Sequence, residues 1–86
     1  MANDEIERNM GVQPLDGIMT EQALGNHDLV AASEEPMTHK AVQRARKGRR
    51  LTKHMQQRMV VAINRAVDLR GIERERPWEV RDLFTY

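Results

Sequence analysis

Met37-Thr38-His39-Lys40-Ala41-Val42-Gln43-Arg44-Ala45-Arg46-Lys47-Gly48 runs directly into Arg49-Arg50-Leu51-Thr52. Thr38 has a hydroxyl suited to capping a helix start, and Gly48 is the residue type that ends one in a left-handed conformation. Between them Ala41, Val42 and Ala45 supply a small apolar side. His39, Lys40, Gln43, Arg44 and Lys47 fall on the other side, so the spacing predicts a short amphipathic helix over 38–47. Its outer face carries hydrogen-bond donors able to reach phosphates and base edges. Thr52 then caps another helix. A short cationic helix followed closely by a second capped helix is the pattern of a recognition helix within a helix-turn-helix.

Charge segregation points the same way. The chain of 86 residues is nearly neutral, with 14 basic and 13 acidic side chains. Residues 1–35 nevertheless hold eight acidic side chains against one basic, Arg8. Residues 36–67 hold nine basic side chains and no carboxylate, and the remaining residues are mixed. The local field, rather than the net charge, decides where a polyanion docks.

Working outward, residues 1–13 are polar and acidic and read as a flexible segment preceding a single helical domain over 14–86. Pro14 suits a helix start, and Leu15, Ile18 and Met19 give helical spacing through 14–23. Leu24-Gly25 ends that helix. Asn26 is placed to cap the next, over 27–33, with Leu29 and Val30 inward. Glu34-Glu35-Pro36 breaks it, because the residue before a proline avoids the α region. Met55, Met59, Ile63 and Val67 recur every four residues, predicting the longest helix over 53–68. Pro77 is expected to open a last short helix lined by Val80, Leu83 and Phe84. The fold class is therefore all-α, a compact five-helix domain.

Other chemistries find little to stand on. There is no cysteine, so disulfides and cysteine-based zinc sites are excluded. His27, His39 and His54 fall on three different predicted helices, and no metal site or cofactor is expected. No nucleophile elbow, glycine-rich phosphate loop or paired carboxylate site appears, so no enzyme is expected. No apolar run reaches the ~20 residues of a membrane span. Asp4, Glu5 and Glu7 stand where a secretory signal would be cationic and apolar, which makes cytoplasmic residence the expectation. The rings of Trp78, Phe84 and Tyr86 cluster at the end of the chain. Leu83 and Phe84 read as plugs of the core, whereas Trp78 and Tyr86 divide evenly between core and dimer contact.

From Leu24 to Phe84 the chain resembles the lambda-repressor-like family of helix-turn-helix DNA-binding domains, also called Cro or XRE-type. The resemblance rests on Leu29-Val30 in the scaffold helix, Met37-Thr38 leading into the recognition helix, Val42 as its buried anchor, Gly48 closing it, and Asp82-Leu83-Phe84. It implies a sequence-specific regulator of transcription, usually a repressor, acting as a homodimer on double-stranded DNA in a bacterium or phage, with no small-molecule effector evident. It implies base-edge contacts from His39, Lys40 and Arg44, with Gln43 and Lys47 flanking the groove; Gln43 can read adenine or stay solvated. Lys40 and Arg44 suit base edges and phosphates equally. Asn26 corresponds to the family's phosphate-touching position, and Thr38, Arg46, Lys47, Arg49, Arg50 and Lys53 are expected along the backbone.

Two departures are visible. The stretch from Leu29 to Val42 is two residues longer than the family spacing, and Pro36 replaces the glycine of the turn. Glu34 and Glu35 would repel phosphates there unless turned away. An alternative reading is a protein-interaction adaptor of the antitoxin kind, with DNA binding secondary or absent, suggested by the acidic first third and the methionines. RNA binding is disfavoured because the basic stretch lacks rings on which bases stack.

Overall fold

A computed structural model of the chain describes residues 10–86. Its helices are α1 (Pro14–Glu21), α2 (Asn26–Ala32), α3 (His39–Lys47), α4 (Lys53–Leu69) and α5 (Val80–Leu83). The all-α expectation holds. Residues 1–9, and with them most of the acidic segment assigned to 1–13, lie outside the described residues.

The long helix α4 is the spine. It buries Met59, Ile63 and Val67 along the expected stripe, with Val60, Ala62 and Ala66 beside them. Helix α2 packs most extensively on α4 and also on α3, while α1 supports α3 and α5. Leu15, Met19, Leu29 and Val42 meet the α4 stripe in one core, and Leu83 and Phe84 close its far end. Hydrophobic burial of this kind is the main favourable term in so small a domain. Among the described residues no helix is long and apolar enough to cross a membrane.

Several boundaries differ from expectation, each for an identifiable reason. Helix α1 ends at Glu21, two residues early, because Ala23 takes a left-handed backbone (φ +57°). The turn brings the Leu24 N–H to the Met19 carbonyl at 2.8 Å and buries Leu24. Asn26 is the first residue of α2 rather than its cap. Gly25 precedes the helix, and its N–H donates to Asp28 Oδ2 at 2.7 Å. That helix ends at Ala32, where Ser33 turns extended and donates its hydroxyl to the Glu35 carbonyl. At the other end of the chain, Pro77 does not open the last helix. Trp78 stays outside the helix, where Asn64 accepts from its N–H and donates to its carbonyl, both at 2.9 Å. Helix α5 starts only at Val80, once Asp82 Oδ2 has accepted the Glu79 N–H.

The segment 10–13 was expected to be loose, yet it is pinned. Gln13 is only 2% exposed. Its amide donates to the Met10 and Gly11 carbonyls, its oxygen accepts from the Thr85 N–H and hydroxyl, and its own N–H donates to the Arg46 carbonyl. One glutamine thus joins the start of the described chain and the segment after α5 to the last turn of α3. The sequence offered no local signal for this, because Thr85 is 72 residues away.

Two glycines with positive φ make a matched test. Gly48 closes α3 at φ +103°, and an added Cβ would strike the backbone of Gly11. Gly71 follows α4 at φ +69° with open space around it. Gly71→Ala should cost about 1–2 kcal/mol of unfolding free energy, the left-handed penalty alone. Gly48→Ala should cost about 3 kcal/mol or more, because a backbone clash adds to the same strain. Urea denaturation of both variants measures the difference.

Acid should find a weak point at α5. Two hydrogen bonds from Arg76, with the Glu79 N–H in support, hold the Asp82 carboxyl well below the usual carboxylate range. A depressed folded-state pKa lends stability above the unfolded value, near 4 for aspartate, that is lost as pH falls below it. Thermal melts of the protein and of Asp82→Asn should therefore differ at neutral pH and converge in acid.

A cationic helix face with its carboxylates turned away

Helix α3 forms where the caps require it. The Thr38 hydroxyl oxygen accepts the Ala41 N–H at 3.0 Å, and at the other end the Arg49 N–H reaches back to the Arg44 carbonyl at 2.9 Å across left-handed Gly48. Val42 and Ala45 are wholly buried against α1 and α2. The loop that follows is fastened by Tyr86, whose hydroxyl accepts the Leu51 N–H at 3.0 Å and donates to the Arg49 carbonyl at 3.1 Å. Thr52 then caps α4 by accepting the Met55 N–H. All of these contacts hold the inner side and the ends of α3, so none covers its outer face.

His39, Lys40, Arg44 and Lys47 are exposed on that face, with Gln43 half-buried among them. Thr38, Arg49, Arg50 and Lys53 are exposed at its margins. Arg44, Arg49 and Arg50 line one shallow cleft between α3 and the start of α4, floored by Ala41, Leu51 and Met55. Eight of the eleven expected contact residues are thus exposed on or beside one helix. The His39 ring stacks on His27 at the start of α2, with centroids 6.0 Å apart and planes within 12°. Sequence spacing held no hint of this pairing, which arises from the packing of α2 on α3.

Asn26 and Arg46 are placed differently. Arg46 Nε donates to Asp16 Oδ1 at 2.7 Å, and its Nη1 donates to Asn26 Oδ1 at 2.8 Å. Asn26 Nδ2 in turn donates to Gln43 Oε1 at 2.9 Å. Both residues were assigned to phosphates, but these polar groups are committed to a chain of bonds linking α1, α2 and α3. Trp78 and Tyr86, the candidates for a dimer contact, also have work within their own chain. The Arg74 guanidinium lies 5.3 Å from the Trp78 ring centre, and Tyr86 holds the 49–51 loop.

The ion pairs sort the charges. Glu35 pairs with Arg58 and His54 of α4, and Glu34 with Arg65 of α4. Arg58 also donates to the Pro36 carbonyl. The longer turn after α2 is therefore strapped to α4. Arg70 meets Asp28, Arg74 meets Asp68, and Arg76 meets Asp82. Among the described residues, Lys40, Arg44, Lys47, Arg49, Arg50 and Lys53 have no carboxylate within ion-pair distance. Every paired cation among the described residues lies off the outer face of α3. Among the described residues, no three His, Asp or Glu side chains come together to hold a metal ion.

No family model matches this chain, and no curated protein or solved structure matches it.

The Tyr86 fastening can be tested without any ligand. Tyr86→Phe should cost about 1–2 kcal/mol, because the Leu51 N–H is left half-buried without an acceptor. Hydrogen exchange should quicken at Leu51 and stay slow at Ile63 in the middle of α4.

Proposed function

We propose that the protein is a sequence-specific, double-stranded DNA-binding regulator, most simply a repressor, with α3 entering the major groove. The observation that carries this reading is the unpaired cationic face. Six cations on and beside α3 lack carboxylate partners among the described residues, whereas the arginines elsewhere are paired. A field of one sign on a protruding helix with anchored ends suits a polyanion whose groove admits a helix. Glu34 and Glu35, the carboxylates that stood nearest in sequence, are held by α4, which removes the expected repulsion.

In this arrangement Lys40 and Arg44 reach base edges from the exposed side of α3, and Arg can pair bidentately with guanine. Lys47, Arg49, Arg50 and Lys53 meet phosphates on either side. A second copy of the chain would read the other half of a two-fold operator. The α4–α5 side, where Trp78 and Val80 stay partly accessible beside a groove, is the place for that contact, because the outer face of α3 is taken by DNA.

Four phosphate-meeting cations per copy should give a log–log salt slope of about −3.6 per copy and about −7 for a dimer. Arg44→Ala should relax base preference at one position of each half-site by about 1–3 kcal/mol. Arg49→Ala should weaken binding to every sequence alike and reduce the slope by about 1 per copy. Selection from randomised duplexes at two salt concentrations measures all three. Failure to enrich any motif rules out sequence-specific recognition, and a stoichiometric protein partner retained at high salt would favour the adaptor reading.

A further inference from the structure

The bonds from Asp16 through Arg46 and Asn26 to Gln43 have a direction, and the direction is forced. A guanidinium has donors only. Arg46 Nε is aligned by the Asp16 carboxylate at 2.7 Å, which aims Nη1 at Asn26. The atom of Asn26 that faces Nη1 must then be its oxygen. The amide of Asn26 consequently turns its nitrogen toward Gln43, and Gln43 must answer with its oxygen, at 2.9 Å. The remaining end of Gln43 is Nε2, a donor, for which no described group serves as acceptor. Gln43 belongs to the row of His39, Lys40, Arg44 and Lys47, and its half-buried side chain is held at its oxygen by Asn26.

We infer that Gln43 is a specificity-determining residue locked as a hydrogen-bond donor, reading an acceptor edge such as guanine O6/N7 and rejecting the amino edge of cytosine. Asp16, Arg46 and Asn26 are its positioning residues. The inference rests on the DNA-binding reading and narrows it. A glutamine free to rotate pairs bidentately with adenine by using oxygen and nitrogen together. Here the oxygen is turned inward to Asn26, so that pairing is lost and donor capacity remains. Sequence inspection alone favoured adenine or solvent for this residue, since nothing local reveals the Asn26 contact across 17 positions.

The test is to reverse the polarity of the relay without touching the DNA-facing residue. In Asn26→Asp, one carboxylate oxygen keeps the Arg46 bond and the other offers Gln43 an acceptor. Gln43 then turns its amide nitrogen inward and its oxygen outward. Duplex selection with the unaltered protein should enrich guanine roughly tenfold over cytosine at one position of each half-site. With Asn26→Asp that position should change to cytosine or adenine, while the other positions keep their bases. Gln43→Glu, which needs no change in the relay, should give the same switch. Independently of DNA, the Gln43 side-chain amide protons should exchange freely in the unaltered protein and slow in Asn26→Asp.

An unchanged motif in both variants overturns the assignment of Gln43 and leaves DNA binding intact. A motif that changes with Gln43→Glu but not with Asn26→Asp overturns the relay. Protected Gln43 amide protons in the unaltered protein overturn the outward donor directly, even if Asn26→Asp does not fold. No motif with the unaltered protein removes the DNA-binding reading and this inference together.

Discussion

The last turn of α3 is the junction on which the cationic face depends. A helix end leaves carbonyls without partners, and burying them bare is costly. Here left-handed Gly48 lets the chain reverse, and the carbonyls of Arg46 and Gly48 are taken by the N–H groups of Gln13 and Met10. The approach is so close that only a residue without a side chain fits at Gly48. Gln13 carries the restraint on to Thr85, two residues past the end of α5, and the next residue, Tyr86, holds the 49–51 loop. Residues 10–13 and the last two residues of the chain therefore serve to fix one end of α3, and Thr38 fixes the other. Because the restraints act on backbone and inner face, the outer side chains are left to make contacts beyond the protein.

Charge is partitioned by the same packing. The turn between α2 and α3 is long and carries two carboxylates, an awkward insertion beside a basic helix. Its length lets Glu34 and Glu35 reach back to Arg65 and Arg58 on α4. Exposed pairs of this type contribute little to stability. Their consequence lies in the field, since each neutralises a cation on α4 and leaves those on α3 uncompensated. The long turn and the clean cationic face are in this sense one feature.

What was legible in the sequence was local. Thr38, Gly48 and Thr52 each act through groups within a few residues, and the α4 stripe of Met59, Ile63 and Val67 repeats with the period of the helix. These positions gave the order and class of the helices among the described residues. Both ends of α2 moved through bonds within three residues, whereas the end of α1 and the start of α5 involve contacts from afar. Ala23 adopts a left-handed backbone in a turn that buries Leu24, with the Ala23 carbonyl accepting from Arg70, and Trp78 stays outside α5 with both its backbone groups bonded to Asn64. The candidate site divides in the same way. Exposure of Lys40, Arg44 and Lys47 followed from helical periodicity, whereas the inward commitment of Asn26 and Arg46 depends on α1, α2 and α3 meeting.

That meeting also explains why polarity, and not merely position, passes from core to surface. Neutral amides can be turned end for end at little cost when both ends face water. A donor-only group at the start of a bonded series removes the freedom, because each amide must offer the opposite end to its neighbour. Asp16 is needed for the series to begin, since without a carboxylate the guanidinium of Arg46, only 18% exposed, would sit partly buried without a counter-charge. The carboxylate of α1 thereby orients a side chain one turn earlier on α3, through Arg46 and Asn26. An acidic residue in the first third of the chain, which charge counting would set against a cationic face, becomes the anchor of the relay that ends at Gln43.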